Sequence, residues 1–268
     1  MKPSGIITLT TDFGLIDPYV AMMKGVILSI NPTAKIIDIT HLIGAGSISQ
    51  AAATIQEIYP YFPQGTIHVA VVDPGVGTER RLLALEVKSH FFVGPDNGVF
   101  WPVLVNDQNS RLVHLTETKY FLPHVTKTFH GREIFAPVAA YLSLGVPLES
   151  MGMSAKDPVE RFLPTPYQDE NVLCGQILRA DNFGNLITNI GSRILEDFVH
   201  KASPCIEVGK LVIKKMTNTY AESEEGEPLA LINSSDLLEI AVNMGRASEY
   251  IGVDEGEIVG TQVKITRS

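Results

Sequence analysis

A chain of 268 residues is long enough for one large or two medium domains, and it can bury a core without a metal or disulfide staple. Charged residues make up 19% of it, below the ~25% usual for soluble domains, and 21 Lys plus Arg against 30 Asp plus Glu leave a net charge of −9. That balance excludes a basic phosphate-binding face, so no nucleic-acid partner is expected, and a small cationic substrate would be drawn in by the acidic field.

The first 145 residues alternate between strand and helix periods. Ile6–Thr11 is predicted as a buried strand, followed by a helix over Pro18–Ile30 with apolar positions at Val20, Met23, Val26, Ile27 and Ile30. Lys35–Thr40 is a second strand and Ser47–Tyr59 a helix with Ser47 as its cap. Thr66–Val72 is a third strand, Arg81–Val87 and His90–Val93 are β-like, and Gly131–Leu144 is helical. Right-handed strand–helix–strand crossovers of this kind imply an α/β domain with a mainly parallel central sheet covered on both faces. After Gly145 the composition changes: three prolines between Pro158 and Pro166, then the polar run Tyr167-Gln168-Asp169-Glu170-Asn171. The expected division is an α/β domain over 1–160, a linker over 161–171 and an all-β, barrel-like domain over 172–268. The predicted strands of the last part are Val172–Arg179, Asn185–Ile190, Ile206–Lys214, Pro228–Ile232, Leu237–Val242 and Glu257–Thr266. The acidic run Glu222–Glu225 fits a solvated loop.

No apolar run reaches the ~18 residues of a membrane span, and Met1–Thr8 lacks the apolar core and cleavage site of a secretory signal. Cys174 and Cys205 suit two reduced thiols of a cytoplasmic protein, and no zinc-ligand spacing is present.

Three of the predicted N-terminal strands run into polar residues: Thr11-Asp12-Phe13-Gly14, Asp38-Ile39-Thr40-His41 and Asp73-Pro74-Gly75-Val76-Gly77-Thr78. An open parallel sheet binds ligands beyond the carboxyl ends of its strands, so three polar groups at one edge mark a candidate site, although each aspartate alone also fits a turn or a cap. Gly75-Val76-Gly77 matches neither a dinucleotide fingerprint nor a P-loop. His68, inside a strand, fits a satisfied core histidine. His130 precedes a predicted helix, where it fits a capping residue as well as a functional one. In the second half, Asp181-Asn182-Phe183-Gly184-Asn185 offers a carboxylate, an aromatic face and an amide in one turn, which also fits an ordinary hairpin.

Taken in order, these segments resemble the S-adenosylmethionine hydrolase family, also called SAM hydroxide adenosyltransferases, relatives of the fluorinase and chlorinase enzymes. Gly94-Pro95-Asp96-Asn97-Gly98, Thr128-Phe129-His130-Gly131-Arg132-Glu133 and Asn243-Met244-Gly245 complete the pattern, which spans essentially the whole chain. The resemblance implies a homotrimer with the substrate between the N-domain of one subunit and the C-domain of its neighbour. It also implies hydrolysis of S-adenosyl-L-methionine (SAM) to adenosine and L-methionine, with SAM as substrate and no cofactor or metal. The family's water-activating trio maps onto Asp73, Arg80 and His130, with Arg81 as the adjacent alternative for the arginine. By the same carry-over Asp12 accepts from the ribose hydroxyls and Asp181 holds the methionine ammonium, with Ser234 and Ser235 near its carboxylate. Phe183 packs on adenine, and Asn185 reads its polar edge with backbone groups near Asn243 and Met244. Tyr19, Phe129 and Tyr220 are further lining positions. The halogenating relatives carry a tyrosine at Asp73, a halide-binding serine at Gly131 and a tryptophan at about Gly46, so this sequence resembles the water-using branch. Within that branch, Ile43-Gly44-Ala45-Gly46 lacks the expected proline.

The chemistry fits these groups. A sulfonium carbon needs no acid or metal, because its leaving group departs as a neutral thioether. What is scarce is a nucleophile: a cation beside the water lowers the cost of negative charge on oxygen, and Asp73 and His130 can accept or relay the proton. His130, with an ordinary pKa near neutrality, is then the expected titrating member. Two other readings remain: a metal-dependent hydrolase using Asp12, Asp38, His41 and Asp73, and a catalytically silent adenosine- or SAM-binding protein.

Overall fold

The computed structural model describes residues 1–105, 107, 109–200 and 202–267, and the chain divides into two compact units, Met1–Leu163 and Pro164–Ser268. In the first unit the strands are β1 (Ile6–Thr11), β2 (Lys35–Thr40), β3 (Ile67–Val71), β4 (Leu82–Val87), β5 (His90–Pro95), β6 (Arg111–Leu115) and β7 (Gly152–Ala155). They form one sheet in the order β2-β1-β3-β5-β4-β6-β7. Helices α1 (Tyr19–Ile30) and α4 (Ala136–Ser143) cover one face, where Met23, Ile27, Val138 and Leu142 join Ile7, Leu9 and Val69 in a core. Helices α2 (Ile48–Ile58) and α3 (Trp101–Leu104) cover the other, with Ala51, Ile55 and Val103 on Ala70, Leu85 and Phe92. Alternate β3 residues thus feed opposite cores, as the two-residue period of a strand with two buried faces requires.

The sheet is mixed, which corrects the expectation of a mainly parallel one. β2, β1, β3 and β5 run parallel, whereas β4, β6 and β7 pair antiparallel. The cause is local: β4 and β5 are joined by only Lys88 and Ser89, both with positive φ (47° and 65°), the two-residue hairpin geometry that no parallel crossover can use. The reversal has a consequence for the site. It returns the start of β4, and with it Arg80, to the edge where β1, β3 and β5 end. Ser47 stands at the N-cap position of α2 but its side chain caps nothing. Gln50 closes that end instead, its Oε1 accepting from Gly44 N at 2.8 Å. His68 is fully buried and hydrogen-bonded, Nδ1 to Thr8 Oγ1 at 2.9 Å and Nε2 to His90 Nδ1 at 3.2 Å, as a satisfied core histidine should be.

The second unit comprises β8 (Tyr167–Asp169), β9 (Val172–Ala180), β10 (Leu186–Gly191), β11 (Pro204–Val208), β12 (Leu211–Ile213), β13 (Pro228–Ile232), β14 (Leu237–Val242) and β15 (Gln262–Arg267). They form one antiparallel sheet, β12-β11-β15-β9-β10-β14-β13, with β8 added to β9. The stretch after β12 bridges from Met216 to Ala230 of β13, so the sheet curls into a nearly closed, barrel-like form around Leu173, Ile177, Ile206, Leu238 and Ile265. Two short helices, α5 (Ser192–Val199) and α6 (Ala247–Tyr250), complete the unit. Tyr167–Asp169, in the stretch expected to be linker, is the strand β8. Cys174 and Cys205 are free thiols.

Candidate active site

β1, β3 and β5 end, and β4 begins, along one edge of the first sheet. The segment Val72–Arg81 climbs from β3 and returns into β4. Gly77 lies at its top with φ of +79°, and a Cβ there would stand 2.3 Å from the Lys127 carbonyl. Only glycine lets this loop meet the 126–130 loop so closely. That approach brings Arg80 to His130.

Arg80 Nε donates to Asp73 Oδ1 at 2.6 Å and its Nη2 to Asp73 Oδ2, a bidentate pair with side chains only 9% and 5% exposed. Nη2 also lies 3.0 Å from His130 Nδ1. A guanidinium only donates, so Nδ1 must accept and His130 is the neutral tautomer with its proton on Nε2. Burial, and then the Arg80 charge, push the His130 pKa below its ordinary value, against the opposite pull of Asp73 and Glu133. The guanidinium lies over the Phe135 ring at 5.9 Å, and its buried Nη1 finds no hydrogen-bond partner among the described residues. A desolvated donor of this kind costs stability unless something accepts from it. Arg81 turns elsewhere, to Asp96 and Asp157, so the arginine beside Asp73 and His130 is Arg80.

A cavity of about 330 Å³ opens above this chain of charges, lined among others by Asp12, Asp73, Phe129, His130 and Gly131. Asp12 Oδ2 accepts from Gly46 N at 2.8 Å. Tyr19 and Phe129 meet edge-to-face at 5.2 Å, and each also packs against Phe13. His130 does not cap the helix that follows it. It stands instead at the head of a π-helical turn, Gly131–Phe135, a backbone irregularity that recurs at functional sites. Glu133 in that turn is wholly buried and accepts from Thr126 N at 2.6 Å, from Thr126 Oγ1 at 3.0 Å and from Arg132 Nη2. Burial opposes its ionisation, but the hydrogen bonds from Thr126 and Arg132 outweigh that and hold its carboxyl below the usual carboxylate value. Glu133 was not among the expected site residues. Its position three residues after His130 on the same turn was the available signal.

The second unit places the remaining expected residues on turns. Asp181 Oδ1 accepts from Phe183 N at 2.8 Å and Asn185 N at 2.9 Å, and Oδ2 from Asn185 Nδ2 at 3.1 Å, so this carboxylate organises its own turn. Phe183 and Met244 project into solvent at 73% and 84% exposure. The Asp181–Asn185 turn is held to the next by Arg246 Nη1, which donates to the Asn182 carbonyl at 3.0 Å. Asn243 Nδ2 donates to the Ser223 carbonyl at 2.8 Å, a hairpin contact. Tyr220 Oη donates to Glu239 Oε1 at 2.6 Å, and Asn233 Nδ2 to Glu239 Oε2 at 3.2 Å. The bond to Glu239, with burial and the charges of Glu239 and Asp181, pushes the Tyr220 pKa up to about 12. Ser234 and Ser235 lie in the turn that follows Asn233, with Ser234 exposed.

The four residues of the metal reading do not converge. Asp38 binds Lys24 and His41, burial opposing and these contacts favouring its charged form, so its pKa falls below the usual value. His41 Nδ1 is engaged by Thr11, Asp12 by Gly46 and Asp73 by Arg80. Among the described residues no three His, Cys, Asp or Glu side chains group as a metal site.

Residues 7–152 match the SAM hydroxide adenosyltransferase N-terminal domain and residues 175–260 the C-terminal domain of the same name. The (R)-S-adenosyl-L-methionine hydrolase of Salinispora tropica is 36% identical over 264 residues, covering 96% of this chain and 97% of that protein. Its namesake from Thermus thermophilus is 38% identical, covering 92% and 95%. A fluorinase from Actinopolyspora mzabensis is 26% identical, covering 98% and 97%. Among solved structures, an uncharacterized conserved protein from Thermotoga maritima has a TM-score of 0.89 at 33% identity, covering 98% of this chain and all of that one.

Proposed function

The chain belongs to the SAM hydroxide adenosyltransferase family, and from this we propose that it hydrolyses S-adenosyl-L-methionine to adenosine and L-methionine, with Asp73, Arg80 and His130 activating the water. The observation that carries the water activation is the hydrogen-bonded chain Asp73–Arg80–His130, whose two ends, Asp73 and His130, line a cavity with Asp12 and Phe129.

The reaction forms a C5′–O bond and breaks the C5′–S bond, whose electron pair leaves on sulfur as a neutral thioether. One proton of the attacking water must depart. The Nδ1 lone pair of His130 is committed to Arg80, so its Nε2–H is the group that holds the water oxygen, and the carboxylate of Asp73 is the acceptor for the proton. The cationic Arg80, held between Asp73 and His130, lowers the cost of hydroxide character as the bond forms. Asp12 receives the ribose hydroxyls, and Tyr19 and Phe129 bound the apolar side. The second unit supplies the remaining contacts: Asp181 to the methionine ammonium, Ser234 and Ser235 to its carboxylate, Phe183 to the adenine face, Asn185, Asn243 and Met244 to its edge, and Tyr220 beside them. Fixing water, carbon and sulfur in line accounts for several kcal/mol of the barrier, up to about 7–11 in favourable cases.

The reading extends to SAM as substrate with no cofactor, to a homotrimer with its sites at subunit interfaces and to a cytoplasmic location. Among the described residues no helix is long and apolar enough to cross a membrane. Light scattering on the purified protein tests the trimer. For the reaction, incubation with SAM in ¹⁸O-water is expected to release methionine and adenosine with the label in the 5′-hydroxyl, and to persist in EDTA. Intact SAM would leave the silent binding protein, and loss of turnover in EDTA would restore the metal reading.

A further inference from the structure

The segment Gly94–Gly98 lies outside the residues assigned to substrate or water, yet it grips both ends of the loop that carries Asp73 and Arg80. Asn97 Nδ2 donates to the carbonyl of Val72, the residue before Asp73, at 2.9 Å. Its Oδ1 accepts from Val99 N at 3.2 Å, which fixes the amide with its NH₂ toward Val72. Asp96 does the same at the other end. Its backbone N donates to the carbonyl of Arg81, the residue after Arg80, at 3.0 Å, and its Oδ2 accepts from Arg81 Nε at 2.7 Å. The Asp96 side chain is only 3% exposed.

The same two residues are held from outside. Asp96 Oδ1 accepts from Val159 N at 2.8 Å, and the Asn97 carbonyl accepts from Arg161 Nε at 3.2 Å. Gly98, with φ of +90°, would place a Cβ 2.4 Å from Arg161 Cβ, so only glycine admits that segment. Neither Asp96 nor Asn97 lines the cavity. Both therefore act through the backbone on either side of the charged pair.

We propose that Asp96 and Asn97 are positioning residues that clamp the two ends of the Asp73–Arg80 loop and thereby set the Asp73–Arg80–His130 contacts. Within the loop, the backbone bonds are short-range turns: Val76 N donates to the Asp73 carbonyl and Thr78 N to the Gly75 carbonyl. Those turns set the loop's local shape and leave its ends to the clamp. A displacement of about 1 Å at a reacting group can cost up to 10²-fold in rate. The kinetic arm of this inference rests on the proposed SAM hydrolysis; the spectroscopic arm does not.

The selective variant is Asn97→Asp, which keeps the acceptor toward Val99 and replaces the donor toward Val72 with an oxygen. Asp96→Asn is the second variant, keeping the shape and weakening the hold on Arg81. Each is expected to lower kcat about 10–100-fold while KM for SAM stays within about threefold. Added to Asp73→Asn, Asn97→Asp is expected to change kcat less than about twofold, because the Asp73–Arg80 pairing that the clamp sets is already weakened. Equal losses in both backgrounds would mean a general structural role and overturn the clamp. Independently of turnover, the His130 ring, faced by Arg80, Asp73 and Glu133, is followed by NMR titration and assigned by comparison with His130→Gln. Release of Arg80 is expected to move its midpoint upward toward the ordinary imidazole value of about 6.5. An unmoved midpoint in both variants overturns the clamp whether or not SAM is cleaved. A moved midpoint in a protein that leaves SAM intact supports the clamp and removes the substrate reading.

Discussion

In the Met1–Leu163 unit the charged side chains at the cavity hold one another, whereas in the Pro164–Ser268 unit the candidate binding groups hold their own turns or stand in solvent. Asp73 and Arg80 are nearly enclosed and share both carboxylate oxygens and a histidine; Phe183 and Met244 are mostly exposed, and Asp181 spends its carboxylate on the backbone of its own turn. The difference teaches where precision is needed. A water that must be aimed along a bond axis calls for a rigid, desolvated charge network, because fixed dipoles need not reorganise at the moment of reaction. Recognition of an adenine face or an ammonium tolerates side chains that settle when the ligand arrives.

Substitutions in the two regions should therefore fail differently. The largest effect belongs to Asp73→Asn, which keeps the shape, removes the proposed proton acceptor and unbalances Arg80. A fall in kcat of about 10²–10⁴-fold is expected, with KM for SAM little changed, measured by steady-state release of adenosine. His130→Ala should cost about 10²-fold in kcat, since it removes one donor to the water and leaves the carboxylate. In the unsubstituted protein the acid limb of kcat should fall below the ordinary histidine value, because burial and then Arg80 favour the neutral ring and activity persists until that ring is protonated. Phe183→Ala sharpens the contrast. KM should rise about tenfold, the equivalent of 1.4 kcal/mol of ring contact, with kcat nearly unchanged. Because that ring is exposed, the unfolding free energy should move by no more than about 0.5 kcal/mol in denaturant titration.

A separate effect concerns stability against pH. His68 is pushed down to about 3 by burial and the neighbouring His90, against about 6.5 in the unfolded chain. The folded state then binds fewer protons, so this stabilisation is complete above about pH 6.5 and is lost progressively as pH falls toward the folded value. His200, the histidine of the second unit, is exposed. Hydrogen exchange should accordingly show the first unit loosening before the second as the solution is acidified below pH 6, and His68→Phe should flatten that dependence.

Much of the first unit was legible because its helices and buried strands carry strong periods: Ile6–Thr11 and Lys35–Thr40 fall where the pattern puts them. The direction of β4 was not legible from period alone. It is set by Lys88 and Ser89 adopting positive φ without a glycine, and a turn of ordinary residues gives no compositional mark. Helix α5 lies outside the predicted elements, although Leu195 and Phe198 at a three-residue spacing are its buried face. At the site, Asp12, Asp73 and His130 could be grouped from strand ends and motif order. The choice of Arg80 over Arg81 needed coordinates, because two adjacent arginines differ only in which side of the strand entry they leave. The contacts of Asp96 and Asn97 were likewise hidden. They hold neighbours of the charged residues, and sequence spacing carries no signal for a contact made to a backbone carbonyl.

The most direct test of the water-activating chain is kcat for Arg80→Ala in a variant whose thermal midpoint stays close to that of the unsubstituted protein. Loss of this guanidinium removes the partner of Asp73, the donor to His130 and the buried Nη1 together. A fall of at least about 10²-fold in kcat, with KM for SAM within about threefold, is the predicted result. Undiminished turnover by the folded variant would contradict it.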